Sequence, residues 1–242
     1  MEISLKAEKL FTIGNFEVTN GLFLALIASF ILIFFAVIFR KKINLVPGKI
    51  QVVIEAGIEY FLGLMSSILG SREAAEKYLP LIATIFIFIL TSNWLGLLPG
   101  VGSFYLREND AMVPLLRSPA ADLNFTLAYA VIAVLATNFF GIIILGIFTH
   151  LKKFLNFSSP LKFFVGILEF ISELARILSF SFRLFGNIFA GEVLLTVVFF
   201  LAPYVIPIPF IFMELFVGVI QAFIFAMLTL VFLASHIQHI KH

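Results

Sequence analysis

The sequence contains no cysteine, which excludes disulfides, thiolate metal sites and thiol nucleophiles. Charged residues make up only 12% of the chain, about half their share in a soluble domain. Walker-type loops, G-x-S-x-G turns and dinucleotide fingerprints are absent. We therefore expect no catalytic site and no bound cofactor, and no covalent chemistry performed by this chain alone.

Apolar residues dominate what is present. They form 62% of the chain, which includes 32 phenylalanines, and this composition indicates an integral membrane protein in contact with lipid. A net charge of +2 is too small and too scattered to indicate a nucleic-acid partner. Runs of about 20 apolar residues are long enough to cross a bilayer. The predicted membrane segments are Leu22–Phe39, Tyr78–Leu98, Phe125–Phe148, Pro160–Leu201 and Ile206–Ile237.

Pro47–Gly70 has a different pattern. Gln51, Glu55 and Glu59 recur at a spacing of four among apolar residues, which places one polar stripe on an apolar helix. This pattern favours a helix lying at the membrane interface over one that spans it. A soluble connector is the alternative.

The last two segments are long. A helix of about 40 residues is roughly twice as long as a perpendicular span requires, so it must tilt steeply or break. The turn between the two, Ala202–Pro209, carries no charge. We predict a single membrane domain over residues 1–242, with spanning and interfacial helices in 1–159 and a helical hairpin in 160–242.

Lysine and arginine are distributed unevenly between the two sides. Ten lie in the segments on one side, which is therefore cytoplasmic, and four on the other. The N-terminus is then external and the C-terminus cytoplasmic. The cytoplasmic set is Arg40, Lys41, Lys42, Lys49, Arg72, Lys77, Lys152, Lys153, Lys162 and Lys241; the external set is Lys6, Lys9, Arg107 and Arg117.

Arg183 is a permanent cation within the first long segment. Near a bilayer centre it costs at least about 3 kcal/mol. Polar residues cluster on its side of the helix, within about 40° of it at about 100° per residue, and Glu173 lies at the edge of this stripe. Intramembrane polar groups normally face a protein partner or a water-filled cavity. The other members are Glu169, Ser172, Arg176, Ser179 and Asn187.

Glu192 lies on the opposite side of the same helix. In the second long segment Glu214 and Gln221 are seven residues apart and share a face, with Gly218 between them permitting close approach of a helix. An antiparallel hairpin places Gln221 near the level of Arg183 and Glu214 beside Glu192.

Carboxylates of this kind suit proton loading and unloading. Glu192 and Glu214 would line an external path, and Glu169 and Glu173 a cytoplasmic one. Arg183 cannot relay a proton, but it attracts a carboxylate. No acid lies within four residues of it, so the expected counter-charge belongs to another chain.

Structural alternatives stay open for several of these residues. Arg183 could snorkel to an interface. Arg176 could be structural, pairing with Glu169, Glu173 or lipid headgroups. Glu214 could be a satisfied core acid.

The four histidines indicate no metal site. His150 falls in a basic loop, and His236, His239 and His242 in a fraying tail, with no ligand spacing typical of a metal.

The stretch Ser181–Glu192, SFRLFGNIFAGE, closely resembles the signature of subunit a of F-type ATP synthases. Four further segments agree with that family in order and spacing. The resemblance covers most of the chain from about Arg40. The segments are Thr91–Pro99, Asp122–Thr126, Pro203–Pro209 and Gln221–Phe225.

The resemblance implies a stator channel beside a rotating ring of c subunits, held by b-type peripheral stalk subunits. Arg183 resembles the arginine that faces the ring carboxylate and blocks proton leak, and Asn187 and Gln221 resemble the polar residues flanking it. Glu192 and Glu214 match external half-channel positions and Glu169 a cytoplasmic one, although the Glu214 position is histidine in some members. From their place on the helix, we expect Glu173, Arg176 and Ser179 to be supporting residues.

The family fold implies an all-α polytopic membrane protein whose C-terminal hairpin is steeply tilted. We expect a bacterial inner membrane, with the thylakoid or mitochondrial inner membrane as the alternative. Whether the coupling ion is H⁺ or Na⁺ stays open. A self-contained secondary transporter, which would have inverted repeats and discontinuous helices, and a structural membrane anchor are the rival functions.

Overall fold

The computed structural model describes residues 7–14, 16–98, 105–108, 111–154 and 159–238. Residues Pro99–Gly102, which we expect to end the predicted segment Tyr78–Leu98, lie outside this part of the chain, as do Lys6, Lys241 and the tail residues His239 and His242. Seven α-helices organise the described residues. They are α1 (Asn20–Lys41), α2 (Lys49–Leu69), α3 (Arg72–Gly96), α4 (Leu123–Leu145), α5 (Ile147–Phe154), α6 (Pro160–Leu201) and α7 (Pro207–Gln238).

Six of these helices are long and apolar enough to cross a membrane, judged by length and composition. The exception is α5, with eight residues. This confirms the prediction of an all-α polytopic membrane protein. α2 belongs to the six, and its placement at the interface stays a prediction.

Local sequence signals explain where several helices begin. The side chains of Thr19, Ser71, Asp122 and Ser159 each accept a hydrogen bond from the first turn of α1, α3, α4 and α6 respectively. Such N-caps satisfy backbone N–H groups that have no partner within the helix.

The predicted third span, Phe125–Phe148, is wrong at its end. α4 stops at Leu145 because Gly146 has φ +80° and ψ 149°, a conformation almost restricted to glycine. The chain turns there and continues as the amphipathic helix α5, so Phe148 and His150 belong to a separate element.

α2 and α3 form a hairpin whose turn contains Gly70 at φ 78°. The residues at both ends of the predicted polar stripe of α2 form hydrogen bonds. Gln51 donates to the Glu55 carboxylate at 2.8 Å, and Arg72 at the start of α3 donates to Glu59 at 2.5 and 2.7 Å.

α6 is one unbroken helix of 42 residues, about 63 Å long at 1.5 Å per residue. Breakage was one of two ways to fit this segment into a bilayer, and the structure excludes it. A steep tilt is the remaining way, because a hydrocarbon core is about 30 Å thick.

The core lies where α3, α4, α6 and α7 meet. Phe180 of α6 contacts Phe225 of α7, with ring centroids 4.9 Å apart, and Tyr129 of α4 packs on the same ring at 5.6 Å. Ile82 and Leu230 are fully buried beside them. α6 is therefore held against two neighbours along one side.

Two short antiparallel hairpins lie outside the helices, and we did not predict them. The first pairs β1 (Lys9–Ile13) with β2 (Phe16–Thr19), and the second pairs β3 (Tyr105–Glu108) with β4 (Ala111–Pro114). The first hairpin is tied to the start of α1, where the Asn20 N–H donates to the Glu8 carbonyl at 3.0 Å.

Candidate functional site

Part of the predicted polar stripe of α6 is exposed. Ser172, Ser179, Arg183 and Asn187 are exposed, whereas Leu184 is buried. These four residues occupy one face because their spacings are seven and four, which match the helical period. The other two members are not part of this surface, because Glu169 is half-buried and Arg176 packs on α7.

Arg183 is held in place mainly by its own helix. Its guanidinium donates to the Ser179 hydroxyl at 3.3 Å, and the Asn187 amide donates to the Arg183 carbonyl at 2.9 Å. Among the described residues no carboxylate lies within salt-bridge distance of Arg183. Its charge thus lies on the exposed face without a counter-ion from these residues.

Gln221 lies beside Arg183, as the hairpin argument predicts. The two side chains line one shallow hollow together with Phe180, Leu184 and Phe225. The hollow joins the exposed stripe of α6 to the buried contact between α6 and α7.

Glu214 meets α6 at Gly191. Its carboxylate occupies the space that a Cβ at residue 191 would need, and the side chain is buried with 3% exposure. The structure therefore brings Glu214 next to the residue that precedes Glu192. Within the described residues, Glu214 Oε1 has no hydrogen-bond partner.

α7 is anchored at this level by α3 as well as by α6. Gly218 packs on Asn93, whose amide donates to the Gly218 carbonyl at 3.3 Å, and the Trp94 indole donates to the Leu215 carbonyl at 3.2 Å. The small residue at 218 thus permits close approach of α3. This gives the segment around Asn93 and Trp94 a structural role in placing Glu214.

Glu192 forms an ion pair with Arg117, which sequence reasoning missed. The Arg117 Nε atom lies 3.2 and 3.3 Å from the two carboxylate oxygens, and Arg117 has 7% of its side chain exposed. From the sequence, Arg117 is predicted only to be one of the charges on the external side.

At the other end of α6, Glu173 and Arg176 pair with each other at 3.1 Å. This was the predicted structural role of Arg176, whose guanidinium also lies 3.6 Å from the centroid of the Phe232 ring. Glu173 turns inward and is buried, with the Asn138 amide donating to it at 3.3 Å. Glu169 is half-buried, one turn closer to the start of the helix.

Comparison with known proteins agrees with these features. The sequence model of the ATP synthase A chain family matches residues 22–234. The chain belongs to this family. It is 37% identical over 219 residues to ATP synthase subunit a of Campylobacter fetus subsp. fetus, covering 89% of each chain. It is 35% identical over 235 residues to that of Helicobacter pylori strain P12, covering 94% of this chain and 95% of the relative.

A relative from Moorella thermoacetica, also an ATP synthase subunit a, is 33% identical over 198 residues, which cover 82% of this chain and 81% of the relative. Membership of the ATP synthase A chain family makes the protein a multi-pass subunit of the proton-translocating membrane sector. The N-terminal hairpin, residues 9–19, falls before the part that the family model matches.

Two histidines of this family member are buried, contrary to our prediction. His236 lies inside α7 with 1% exposure, and His150 lies in α5 with 4% exposure. Their ring centroids are 5.4 Å apart. The assignments to a fraying tail and a basic loop fail because α7 continues to Gln238 and α5 folds back onto α4.

Within the part of the chain that the structure describes, no group of three or more histidine and acidic residues is placed to hold a metal ion. The groups that the site does present are carboxylates, imidazoles and the guanidinium groups of Arg117, Arg176 and Arg183.

Proposed function

We propose that this chain is the stator channel that exchanges protons with the carboxylates of a rotating ring of c subunits. One observation supports this above the others. Arg183 presents a fixed positive charge on the exposed part of α6, where the neighbouring side chains Phe182 and Leu178 are apolar and 54% and 50% exposed. A face that is apolar and cationic at once is suited to neither water nor lipid. It is suited to an apolar partner surface that carries a carboxylate.

In this proposal Arg183 acts by differential interaction. It favours the ionised ring carboxylate opposite it, whereas lipid favours the protonated one. A guanidinium does not pass a proton on, because it stays charged at working pH. Arg183 therefore separates two proton paths and prevents leak between them, while Asn187 and Gln221 flank it.

The external half-channel is formed by Glu192 and Glu214. Both lie on the side of α6 away from the exposed stripe, and Arg117 holds Glu192 in position. Glu169 belongs to the cytoplasmic half-channel, with Ser179, Glu173 and Arg176 in supporting roles. Lys and Arg placement orients the chain with its N-terminus external.

The proposed partners are the ring, b-type peripheral stalk subunits and membrane lipid. The bacterial sources of the relatives support a bacterial inner membrane. The two long segments are unbroken helices, unlike the discontinuous helices of secondary transporters. This favours the stator channel over a self-contained transporter.

The test is ATP-driven proton pumping in inverted membrane vesicles. Arg183→Ala should abolish pumping while the chain stays assembled in the purified complex, because the ring carboxylate loses its fixed partner. Arg72→Ala is the matched control, since Arg72 is an exposed arginine paired with Glu59 and Glu76 away from the stripe. Pumping retained by Arg183→Ala would refute the proposal and support the structural anchor.

A further inference from the structure

A buried polar cluster joins four helices at the end of α6 opposite Glu192. Asn138 of α4 lies at its centre, with its Oδ1 atom 3.1 Å from His150 Nε2 of α5 and its Nδ2 atom 3.3 Å from the Glu173 carboxylate of α6. His236 of α7 packs on His150. The cluster lies about 15 Å along α6 from Arg183.

The hydrogen bonds determine where protons lie in this cluster. Asn138 Nδ2 faces the Val134 carbonyl at 2.9 Å and the Glu173 carboxylate, and both partners are acceptors, so the amide must be oriented with its NH₂ group toward them. Its Oδ1 atom therefore faces His150 and can only accept. His150 Nε2 consequently carries a hydrogen in both charge states, and an additional proton must go to Nδ1.

The helices approach so closely here because residue 141 of α4 is glycine. A Cβ at Gly141 would lie 3.1 Å from His150 Cε1 and 3.2 Å from His236 Cδ2. Two imidazoles at this distance repel each other when both are charged. Histidine is the side chain most suited to change its charge in the physiological pH range, so we treat the pair as able to share one proton.

The charged and titratable groups around the pair differ from helix to helix. α6 contributes Glu169, Glu173 and Arg176, of which Glu173 lies nearest through the Asn138 bridge. α5 contributes the exposed Lys152. From α3, Tyr78 packs on Phe140, next to Gly141, and Lys77 lies 5.5 Å from the Tyr78 ring. Among these described groups, Glu173 is the carboxylate to which the Asn138 bridge connects a proton on His150.

We propose that Asn138 and His150 are positioning residues for the Glu173 carboxylate, and that protonation of the His150–His236 pair makes this positioning depend on cytoplasmic pH. The inference rests on the proposed function, because it places the cluster in the cytoplasmic half-channel. A charged His150 strengthens the hold on Glu173 through the Asn138 amide. The carboxylate is then restrained from turning toward the exposed stripe, and proton passage on this side slows at low pH.

The decisive measurement is the pH profile of ATP-driven pumping in inverted vesicles, where the cytoplasmic face is in contact with the buffer. His150→Gln keeps an N–H donor for Asn138 but cannot titrate. The pumping rate of this variant, divided by that of the unmodified protein, should be near one at pH 8. The ratio should rise to about three at pH 6, as expected for loss of one partly screened charge. Leu151→Ala, at the exposed neighbouring position, is the matched control and should keep the ordinary profile.

His236→Gln should flatten the profile in the same direction, because the pair shares one proton. It also provides a second measurement if His150→Gln does not assemble. Ser235→Ala, at an exposed position on the same turn, is its control.

The inference would be overturned if the pH profiles of both glutamine variants ran parallel to that of the unmodified protein. A pumping rate that is lower at every pH, with no change in the shape of the profile, would also overturn it, because such a result indicates an effect on packing alone. Failure of the proposed function is recognised separately. Pumping retained by Arg183→Ala would refute the stator channel, whereas abolished pumping in that variant combined with parallel histidine profiles refutes only the positioning role.

Discussion

At the scale of single residues, the proposed external half-channel depends on one contact between distant parts of the chain. Arg117 and Glu192 are 75 positions apart and meet at 3.2 Å. Arg117 is almost fully buried, whereas Glu192 keeps 37% of its side chain exposed. Removing Glu192 would take a carboxylate away from a cation inside the protein, and removing one member of such a pair is more damaging than removing both.

We expect Arg117→Gln and Glu192→Gln each to slow pumping, with the double variant less impaired than the product of the two single effects. A coupling of about 1 kcal/mol or more would be consistent with residues in direct contact. The measurement is a double-mutant cycle on pumping rate and on the amount of assembled complex. Lys9→Gln is the control, because the Lys9–Glu17 pair is exposed on both sides and should contribute little. Strictly multiplicative effects would contradict the coupling.

The residues of the stripe were predictable because a helix imposes a local rule. Spacings of four place Ser179, Arg183 and Asn187 on one face whatever the rest of the chain does. The contact of Gln221 with Arg183 needed only one further assumption, an antiparallel hairpin. Arg117 obeys no such rule, since its pairing with Glu192 depends on how a loop folds over α6.

At the scale of elements, the fold depends on where helices stop. The boundary between α4 and α5 was mispredicted because an apolar run continues through Gly146, and hydropathy does not register a change of backbone direction. The consequence was larger than one boundary. Because the chain turns at Gly146, His150 returns to Asn138 and is buried. The prediction that His150 lies in a basic loop failed for this reason.

Two glycines allow the backbone requirement to be tested. Gly70 has φ 78° and ψ 3°, which asparagine also tolerates, whereas Gly146 has φ 80° and ψ 149°, which is nearly exclusive to glycine. Gly70→Asn should therefore leave assembly nearly unchanged, and Gly146→Asn should destabilise the chain by about 1–3 kcal/mol. Thermal stability of the purified complex and retention of the chain in it provide the measurement. Equal effects at the two positions would show that the backbone angle is not decisive.

At the scale of the whole molecule, two kinds of exposed helix face can be compared among the described residues. The exposed apolar residues of α1 face outward without charged neighbours in the centre of the helix, as lipid contact requires. The exposed face of α6 combines apolar side chains with hydroxyl, amide and guanidinium groups. That difference is what distinguishes a partner surface from a lipid surface.

The absence of cysteine makes this distinction testable. A single cysteine introduced in place of Ser172 or Asn187 and labelled with a photoactivatable maleimide should cross-link to a ring subunit in the intact complex, because both positions are exposed on the stripe. Phe35→Cys, on the exposed side of α1, and Ser181→Cys, fully buried against Thr126, should give no ring adduct. Gel analysis of the cross-linked subunits is the measurement. Ring adducts from residue 35 but not from residue 172 would place the ring elsewhere.

The exposed Arg183 also bears on how such a subunit is made. Until a ring is present, the guanidinium would face lipid at a penalty of at least about 3 kcal/mol, and α6 would have to shift or draw water into the bilayer. A chain synthesised in excess over its partner therefore carries a built-in defect that membrane proteases and chaperones can recognise. The residue that we propose to face the ring would in this way also mark the unassembled subunit for removal, so that biogenesis keeps the two components in proportion.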